Sequence, residues 1–390
     1  MLAFWYYFKL GFLLTYFSIC AGIAYIIYKE QKNYYEPMYV MKKTGEGKDD
    51  ETTVSIHDEF DEFARRDTPV SFLKLYFGIL TIALFKFILA VYFAITLSFK
   101  LSNQLKQKEE KKEKFTKEEI KSKIETVKYH TSNFLRYSGI FHFKVRLPEE
   151  KVLPIYQKYF GPDYKIDYDG KVACYICNHT SFNDILLAMT IYGCAFISKV
   201  GIKSVPVFGS IAQGLQSIFV DRNDPNSRKE VLEKIIERQK DYMEGKPVMP
   251  IMIFPEGTTT SGRHILKFKK GAFYSLLPIK PNIIHPNLLR NLHLGCGASN
   301  VNINYARTLT ELYVQTEYIE LPIMTPNEYM YNNFKSYGKE KWEIYAEVAR
   351  EIMCSLGDFK KSDKDLKDSY RYMHCLEKHI YVEKEKFKKD

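Results

Sequence analysis

The sequence of 390 residues lacks several features that mark common classes of protein. It contains no G-x-S-x-G turn, the motif that presents a catalytic serine in one large group of hydrolases. It contains no recognised nucleic-acid-binding motif and no EF-hand loop for calcium. Cysteine is sparse: there are seven, an odd number, scattered from position 20 to position 375. This usage argues against a disulfide framework and favours a reducing compartment.

The closest pair of cysteines, Cys174 and Cys177, lies inside an apolar run at residues 172–177. A redox or zinc site would require a second pair or a thioredoxin-like context, and the sequence offers neither. We therefore interpret both cysteines as small, buried strand residues, and we expect no metal ion.

What the chain has in abundance is apolar and basic side chains. Hydrophobic residues make up 46% of the sequence, with 30 tyrosines and 27 phenylalanines, so a large core can form. The mean hydropathy is slightly negative, which argues against a polytopic channel or transporter. The net charge of +10 favours an anionic partner. Without a nucleic-acid motif, we expect that partner to be a membrane surface or a phosphorylated substrate.

The N-terminal region predicts membrane attachment. Residues 10–28 carry no charge and are about as long as a bilayer's hydrocarbon core requires, so residues 1–28 are predicted to be a retained anchor. A second apolar run, residues 70–99, contains Lys74 and Lys86. A lysine near the middle of a span costs about 2.5–3.5 kcal/mol. This run is therefore expected either to cross the bilayer or to enter it as a re-entrant or shallow helix with snorkelling lysines.

Polar segments lie on both sides of the second apolar run. Residues 29–69 are polar and on balance acidic, which is typical of a flexible loop. Residues 100–129 are rich in lysine and glutamate and predict a linker or solvated helix. Positive residues beside a membrane segment mark the cytosolic side, so we expect the domain that follows to face the cytosol near anionic lipid.

From about residue 130 to 330 the sequence alternates between strand and helix patterns, which predicts an α/β domain. Four buried strands are predicted there: residues 172–177, 195–200, 217–221 and 249–255. Ser227 and Glu230 fit a capping box that would begin the helix after the third of these strands.

Polar residues follow the first predicted strand in the order N-H-T-S-F-N-D, residues 178–184. His179 comes directly after the strand, and Asp184 lies at the start of the next helix. A carboxylate on one ring nitrogen fixes the tautomer and leaves the other nitrogen free as a general base. This pair therefore suits removal of a proton from a hydroxyl that attacks a thioester. A structural role is the alternative interpretation of an isolated histidine and aspartate.

Three further clusters follow the other strands. Arg222 lies just past the third strand, where a guanidinium suits a phosphate or pairs with a surface aspartate. Glu256, Gly257 and Thr258 follow the fourth strand, and such a loop suits a phosphate or glycerol oxygen. The remaining candidates are cations and prolines downstream: Lys267, Lys269, Lys270, Pro278 and Pro281.

Taken together, the four clusters resemble the ordered motifs of the glycerolipid acyltransferase family: N-H-x4-D, G-x-x-F-[IV]-D-R, F-P-E-G-T and a proline-rich block. The resemblance covers roughly residues 130–330. It implies an α/β sheet flanked by helices, a tunnel for the acyl chain and N-terminal membrane helices. It also implies roles for individual residues: His179 as general base supported by Asp184, Arg222, Glu256 and Gly257 as ligands of the acceptor, and Pro281 beside the substrate channel.

Within that family, E-G-T-T-T-S-G followed by K-F-K-K-G-A-F is similar to the branch that acylates lysophosphatidylcholine or lysophosphatidylethanolamine. Ser261 departs from that branch, and the pair Lys269–Lys270 is similar to the lysophosphatidic acid branch. The resemblance thus implies acyl-CoA as co-substrate, a lysophospholipid as acceptor and no cofactor. Acylation of lysophosphatidic acid or glycerol 3-phosphate stays open, as does a non-catalytic lipid-binding protein on the same scaffold.

The C-terminal region, residues 331–390, predicts a helical segment and a basic tail. Residues 339–356 form an amphipathic helix pattern that is expected to end at Gly357. Lys386 and Lys388 stand fifth and third from the end, the spacing of a dilysine retrieval signal of the endoplasmic reticulum. We therefore expect residence in the endoplasmic reticulum membrane with a cytosolic catalytic domain.

Overall fold

The computed structural model describes residues 2–35, 39–43, 51–64, 71–221, 224–285 and 300–378. The helices are α1 (Leu2–Tyr35), α2 (Ile56–Glu59), α3 (Phe72–Gly78), α4 (Leu84–Lys111), α5 (Lys117–Ser138), α6 (Glu149–Phe160), α7 (Asn183–Tyr192), α8 (Phe208–Gly214), α9 (Pro225–Met243), α10 (Val301–Thr310), α11 (Glu328–Asn333), α12 (Lys341–Gly357) and α13 (Leu366–Lys378). The strands are β1 (Tyr39–Lys43), β2 (Glu51–Ser55), β3 (Ile140–Arg146), β4 (Cys174–Cys177), β5 (Ala195–Lys199), β6 (Ile218–Val220), β7 (Ile251–Ile253), β8 (His264–Leu266), β9 (Ile279–His285), β10 (Val314–Glu320) and β11 (Lys360–Ser362).

A seven-stranded sheet lies at the centre, in the order β3-β10-β9-β4-β7-β5-β6. The five strands from β9 to β6 are parallel, whereas β10 runs antiparallel to β9 and parallel to β3. The four predicted strands correspond to β4, β5, β6 and β7, and the α/β class is confirmed. Because parallel strands end at one edge of a sheet, the turns after these four strands meet there.

Apolar cores on both faces hold the sheet in place. On one face α12 contributes Tyr345, Val348 and Ile352, all fully buried, as its helical spacing predicts. On the other face α5 and α7 pack against the sheet. Cys174 and Cys177 are buried free thiols in β4, and burial raises the pKa of Cys174 to about 12. The interpretation of this pair as strand residues is confirmed.

The start of one helix, α9, differs from the sequence prediction. The capping box at Ser227 is wrong: α9 begins at Pro225, and the Asp224 side chain accepts a hydrogen bond from the backbone N–H of Asn226. Proline suits the first helical position because a backbone N–H at that position would have no carbonyl partner within the helix. The hydroxyl of Ser227 instead accepts from the N–H of Asp221 at 3.0 Å.

The acidic segment before the second apolar run, which was expected to be a flexible loop, forms ordered structure in its described residues. Its residues 54–64 fold onto the domain, where Ile56, Phe60 and Phe63 are fully buried beside Tyr372 of α13. Aromatic side chains spaced three or four residues apart lie on the same side of a helical turn, which is how they reach one cluster. The prediction of a flexible loop across 29–69 is wrong for this part.

Both predicted membrane segments are helical. In α1, Lys9–Glu30 is long and apolar enough to cross a bilayer. The second segment is one continuous helical run, Phe72–Lys111, in which a π-helical segment, Ile79–Ala83, joins α3 to α4. A re-entrant hairpin, one of the alternatives left open for this run, is therefore not formed by residues 72–111.

The two lysines of the second run contact the domain. Lys74 Nζ lies 2.7 Å from Glu311 Oε1, and Lys86 Nζ donates to the carbonyl oxygens of Glu311 and Leu312. Gly78 allows this close approach, since a Cβ there would lie 2.6 Å from the Thr310 Cβ. The charges that made a simple span costly are thus satisfied by the turn between α10 and β10.

The helix α4 also packs against the domain along its length. Ala90, Ala94, Leu97 and Leu101 are buried against α5 and α8. The opposite side exposes large apolar side chains: Leu84, Phe85, Phe87, Ile88, Tyr92, Ile95 and Phe99. The helical run is 40 residues long, or about 60 Å, yet residues 54–64 before it and α5 after it both contact the same domain.

Candidate active site

The site begins with a histidine and an aspartate placed at the carboxyl end of β4. His179 follows the strand by two residues, and Asp184 lies in the first turn of α7. The turn between them brings His179 Nδ1 to 3.0 Å from Asp184 Oδ2, as the spacing predicted. With Nδ1 engaged by the carboxylate, Nε2 is the nitrogen left to accept a proton.

Asp184 is held by donors from its own turn. Its Oδ2 accepts the backbone N–H groups of Thr180 and Ser181, the latter at 2.8 Å, and its Oδ1 accepts the Ser181 hydroxyl at 2.9 Å. The side chain is 3% exposed. A buried carboxylate needs such partners, and here they fix its orientation toward the imidazole.

Glu256 is placed differently from the acceptor ligand that was expected. Its Oε1 accepts the backbone N–H of His179 and its Oε2 that of Leu266, each at 2.9 Å. The residue is 1% exposed, and burial raises its pKa to about 8 although the two N–H groups favour the charged form. Both oxygens are occupied, so the carboxylate joins the turn after β4 to β8 and positions His179.

His179 makes two further contacts, one through its ring and one through its backbone. Its ring stacks on Phe254, with centroids 4.1 Å apart and planes 15° from parallel. The carbonyl of His179 accepts the backbone N–H of Thr260 at 2.8 Å. Phe254 and Thr260 belong to the F-P-E-G-T-T-T loop, and sequence reasoning assigned neither a role. The composition of that loop indicated a functional role, but it did not predict that Phe254 stacks on the histidine ring.

His179 opens onto a cavity of about 560 Å³ at the carboxyl edge of the sheet. Gly257 and Thr258 line it, and Lys199, Lys269 and Lys270 supply cations. Gly257 has φ +72°, and a Cβ there would lie 2.5 Å from Lys269 Nζ, so only glycine suits this turn. Hydroxyl and ammonium groups thus face the same space as the histidine.

A second, apolar groove of about 550 Å³ adjoins this cavity. Ile185, Phe196 and Ser198 line both spaces. Beyond them the groove continues between α4 and the domain, past Phe87 and Met189. An aliphatic chain bound there would have its end near His179 and its length beside the membrane helix.

The remaining predicted site residues are distributed unevenly. Lys270 and Thr258 meet at the cavity with His179. Pro281 does not join them: it lies inside β9, buried and paired with Ile176 of β4, because the proline-rich block enters the sheet rather than a channel wall. Arg222 lies outside the described residues, although β6, which precedes it, contributes Val220 to the cavity.

Comparison with protein families and curated proteins gives consistent matches. A family model described as Acyltransferase matches residues 158–286. Lysophosphatidylcholine acyltransferase of Drosophila melanogaster is 28% identical over 54% of this chain and 39% of its own length. Lysophospholipid acyltransferase LPEAT1 of Arabidopsis thaliana is 30% identical over 52% of this chain and 48% of its own. The chain thus spans less than half the length of these relatives.

Two further proteins are similar. Lysophosphatidylcholine acyltransferase 1 of Homo sapiens is 31% identical over 48% of this chain and 34% of its own length. Among solved structures, the 1-acyl-sn-glycerophosphate (LPA) acyltransferase PlsC from Thermotoga maritima aligns with a TM-score of 0.43 and 16% identity, over 69% of this chain and 92% of that one.

Proposed function

We propose that this chain, which carries an acyltransferase-family domain over residues 158–286, transfers a fatty acyl group from acyl-CoA to the free hydroxyl of a lysophospholipid. The match of the Acyltransferase family model and the similarity to the curated relatives support the family expected from the four sequence clusters. The observation that carries the proposed reaction is the His179–Asp184 hydrogen bond at the mouth of a cavity.

In the proposed reaction His179 acts as general base. Nε2 takes the proton of the acceptor hydroxyl while the oxygen attacks the thioester carbonyl carbon. The C–O bond forms, the tetrahedral intermediate collapses, the C–S bond breaks, and the imidazolium returns the proton to the CoA thiolate. Asp184 stabilises the imidazolium and holds the ring in the tautomer that leaves Nε2 free. No acyl-enzyme is required.

The two adjoining spaces suit the two parts of a lipid substrate. The cavity beside His179 offers Lys199, Lys269 and Lys270 to phosphate groups. The apolar groove beside α4 suits an acyl chain, because removing each CH₂ group from water is worth about 0.8 kcal/mol. Ile185 and Phe196 stand where the spaces meet, so the scissile carbonyl would lie near them.

The apolar helices support a location of the proposed reaction at a bilayer. The exposed apolar side of α4 and the apolar helix α1 suit contact with lipid. We propose that α3 and α4 lie along one leaflet, because their two ends and their buried side contact the domain. Residence in the endoplasmic reticulum with a cytosolic domain is part of the same proposal, and the dilysine tail lies outside the described residues.

The first test is replacement of the base. His179→Ala should abolish transfer from labelled acyl-CoA in membranes, since general-base catalysis typically contributes about 10²–10⁴-fold. His142→Ala is the matched control, because His142 lies on β3 at the far edge of the sheet. Retention of activity by His179→Ala, with equal membrane association of both variants, contradicts the mechanism.

An acceptor panel tests the substrate class. Lysophosphatidylcholine, lysophosphatidylethanolamine, lysophosphatidic acid and glycerol 3-phosphate are compared at fixed acyl-CoA. Turnover confined to the last two would favour the lysophosphatidic acid or glycerol 3-phosphate alternative, which the three lysines of the cavity also suit. Lipid binding without turnover of any acceptor would favour a non-catalytic protein, against which the intact His179–Asp184 pair argues.

A further inference from the structure

The geometry points to α13 as the wall that selects the acceptor's headgroup by size, held in place by the segment 54–64 that precedes the second apolar helix. This inference rests on the proposed function and deepens it. Both segments lie outside the part of the chain that the family model matches, residues 158–286. The selectivity of the cavity would then depend on parts of the chain that the four sequence clusters do not include.

One face of α13 borders the cavity that contains His179. Leu366, Ser369, Tyr370 and Met373 line it, at the spacing of successive turns on one side of a helix. Among the described lining residues the charged side chains are three lysines, which lie on the β5 end and the loop before Gly271. The α13 face is uncharged, so it restricts volume rather than attracting a charge.

The opposite face of α13 packs on the segment 54–64. Tyr372 is fully buried, its ring is tilted by 40° against that of Phe60 with centroids 5.6 Å apart, and its hydroxyl lies 2.9 Å from His57 Nδ1. Cys375 and Phe63 belong to the same apolar cluster. The helix is therefore anchored on its outer side, which keeps its inner face at the cavity.

A charged clasp fixes the start of α13. Glu62 accepts hydrogen bonds from Lys364 Nζ and from the Ser362 hydroxyl, each at 2.7 Å. Burial disfavours the charged form of Glu62, yet these donors hold its pKa below its usual value. The Glu62 carbonyl also accepts the N–H of Ser261 at 2.6 Å.

A second ion pair joins the same two parts of the chain: Arg263 Nη2 lies 2.6 Å from Asp61 Oδ1. The clasp thus connects the loop that follows Glu256, the segment 54–64 and α13. Displacement of any one of these parts would change the width of the cavity.

The test measures acceptor selectivity rather than activity alone. Tyr370→Ala and Met373→Ala should raise kcat/KM for lysophosphatidylcholine relative to lysophosphatidic acid by about tenfold or more, because a size-restricting pocket discriminates by steric exclusion. Tyr370→Trp narrows the cavity and should lower the same ratio. Glu62→Gln, which touches the clasp and not the cavity, should move the ratio in the same direction as Tyr370→Ala.

Lys367→Ala, at an exposed position of α13 away from the cavity face, is the matched control and should leave the ratio unchanged. The inference is overturned if kcat/KM falls equally for both acceptors or if the ratio of the two kcat/KM values is unchanged in folded variants. A change confined to the KM for acyl-CoA also overturns it. If the unsubstituted chain turns over no acceptor, the proposed function fails. The ratio of the dissociation constants for the two lysophospholipids then tests α13 in the same variants.

Discussion

In the proposed reaction, removal of the proton depends on a single hydrogen-bonded pair, His179 and Asp184. The imidazole contacts one carboxylate oxygen and stacks on Phe254, and the carboxylate is surrounded by donors from its own turn. Neither side chain can rotate without breaking several contacts. The arrangement is therefore preorganised for one tautomer and one orientation of the ring.

Asp184→Asn tests that preorganisation. The amide would set an N–H₂ group against N–H and O–H donors, and it would not stabilise the imidazolium, so kcat should fall by about 10²–10⁴-fold. Ser181→Ala removes one donor to the same carboxylate but keeps its charge, and it should cost far less activity. Initial rates at saturating acyl-CoA measure both, and comparable activity of Asp184→Asn and the unsubstituted chain would exclude this role.

Glu256→Gln tests the carboxylate that positions His179. Loss of one accepted N–H bond should destabilise the fold by about 1–3 kcal/mol. Burial raises the pKa of Glu256 in the folded chain to about 8. The carboxyl therefore ionises at lower pH in the unfolded chain than in the folded chain, so the free energy of unfolding falls as pH rises from about 4.5 to about 8. Glutamine does not ionise.

Thermal unfolding in detergent at pH 5 and pH 8.5 measures the effect. The difference in Tm between the unsubstituted chain and Glu256→Gln should be larger at pH 5 and smaller at pH 8.5. A difference that grows with pH would mean that Glu256 is already ionised in the folded chain at pH 5.

For individual residues, the sequence predicts the chemical role better than it predicts tertiary contacts. The His179–Asp184 pair follows from five-residue spacing after a strand, which local geometry determines. The two N–H bonds to Glu256 join residues 77 and 10 positions away, and such contacts depend on the sheet order. Pro281 was misjudged for the same reason, because only the pairing of β9 with β4 shows that it is inside the sheet.

Among the elements, the sheet edge formed by β3, β9 and β10 is held by an ion cluster. Glu320 of β10 is 1% exposed and lies 2.7 Å from Lys280 of β9, 2.9 Å from Lys144 and 2.8 Å from Arg146 of β3. Despite burial, these three cations hold the pKa of Glu320 at about 2. The cluster joins the two reversed strands to the parallel part of the sheet.

Glu320→Gln should destabilise the fold by about 3 kcal/mol or more, since it leaves a partly buried Lys280 without its acid. A carboxylate with a lowered pKa stabilises above its unfolded value and loses that contribution as pH falls, here from about 4.5 toward 2. Acid titration followed by circular dichroism should show the unsubstituted chain losing more stability over this range than Glu320→Gln. Parallel titration curves would exclude the cluster as the cause.

Helices and strands were predicted correctly where a local apolar pattern determines them, and ordered segments were missed where tertiary packing determines them. The strands β4 to β7 and the helix α12 follow from apolar runs and helical spacing. By contrast, the segment 54–64 is acidic enough to resemble a flexible loop, and its order comes from Ile56, Phe60 and Phe63 packing on α13, about 300 residues away. Asp224 outcompetes Ser227 as the cap because Pro225 is suited to the first helical position.

For the molecule as a whole, the open question was the path of the second apolar run through the bilayer. Residues 54–64 before the helix and α5 after it contact one domain, so both ends should lie on one side of a membrane. Length and composition alone fit a crossing equally well. The sequence could not decide this, because the contacts of Lys74 and Lys86 with the 311–312 turn are tertiary.

Single-cysteine labelling in sealed vesicles tests this topology. Asp58→Cys and Lys151→Cys, both at exposed positions on either side of the helix, should react with a membrane-impermeant maleimide from the same face. The six described native cysteines are buried, and Cys296 is replaced by serine in this background. Protection of Asp58→Cys until detergent is added, with Lys151→Cys already labelled, would show that the helix crosses.

Two side chains of α4 line the apolar groove and are also exposed on the outer surface of the helix. Phe87 and Ile95 are each about half exposed. A lipid tail can therefore slide sideways out of its leaflet without first dissolving in water. The quantity that governs the rate is then the mole fraction of substrate in the membrane plane, and diluting the acceptor with inert phospholipid should slow the reaction even when its bulk concentration is unchanged.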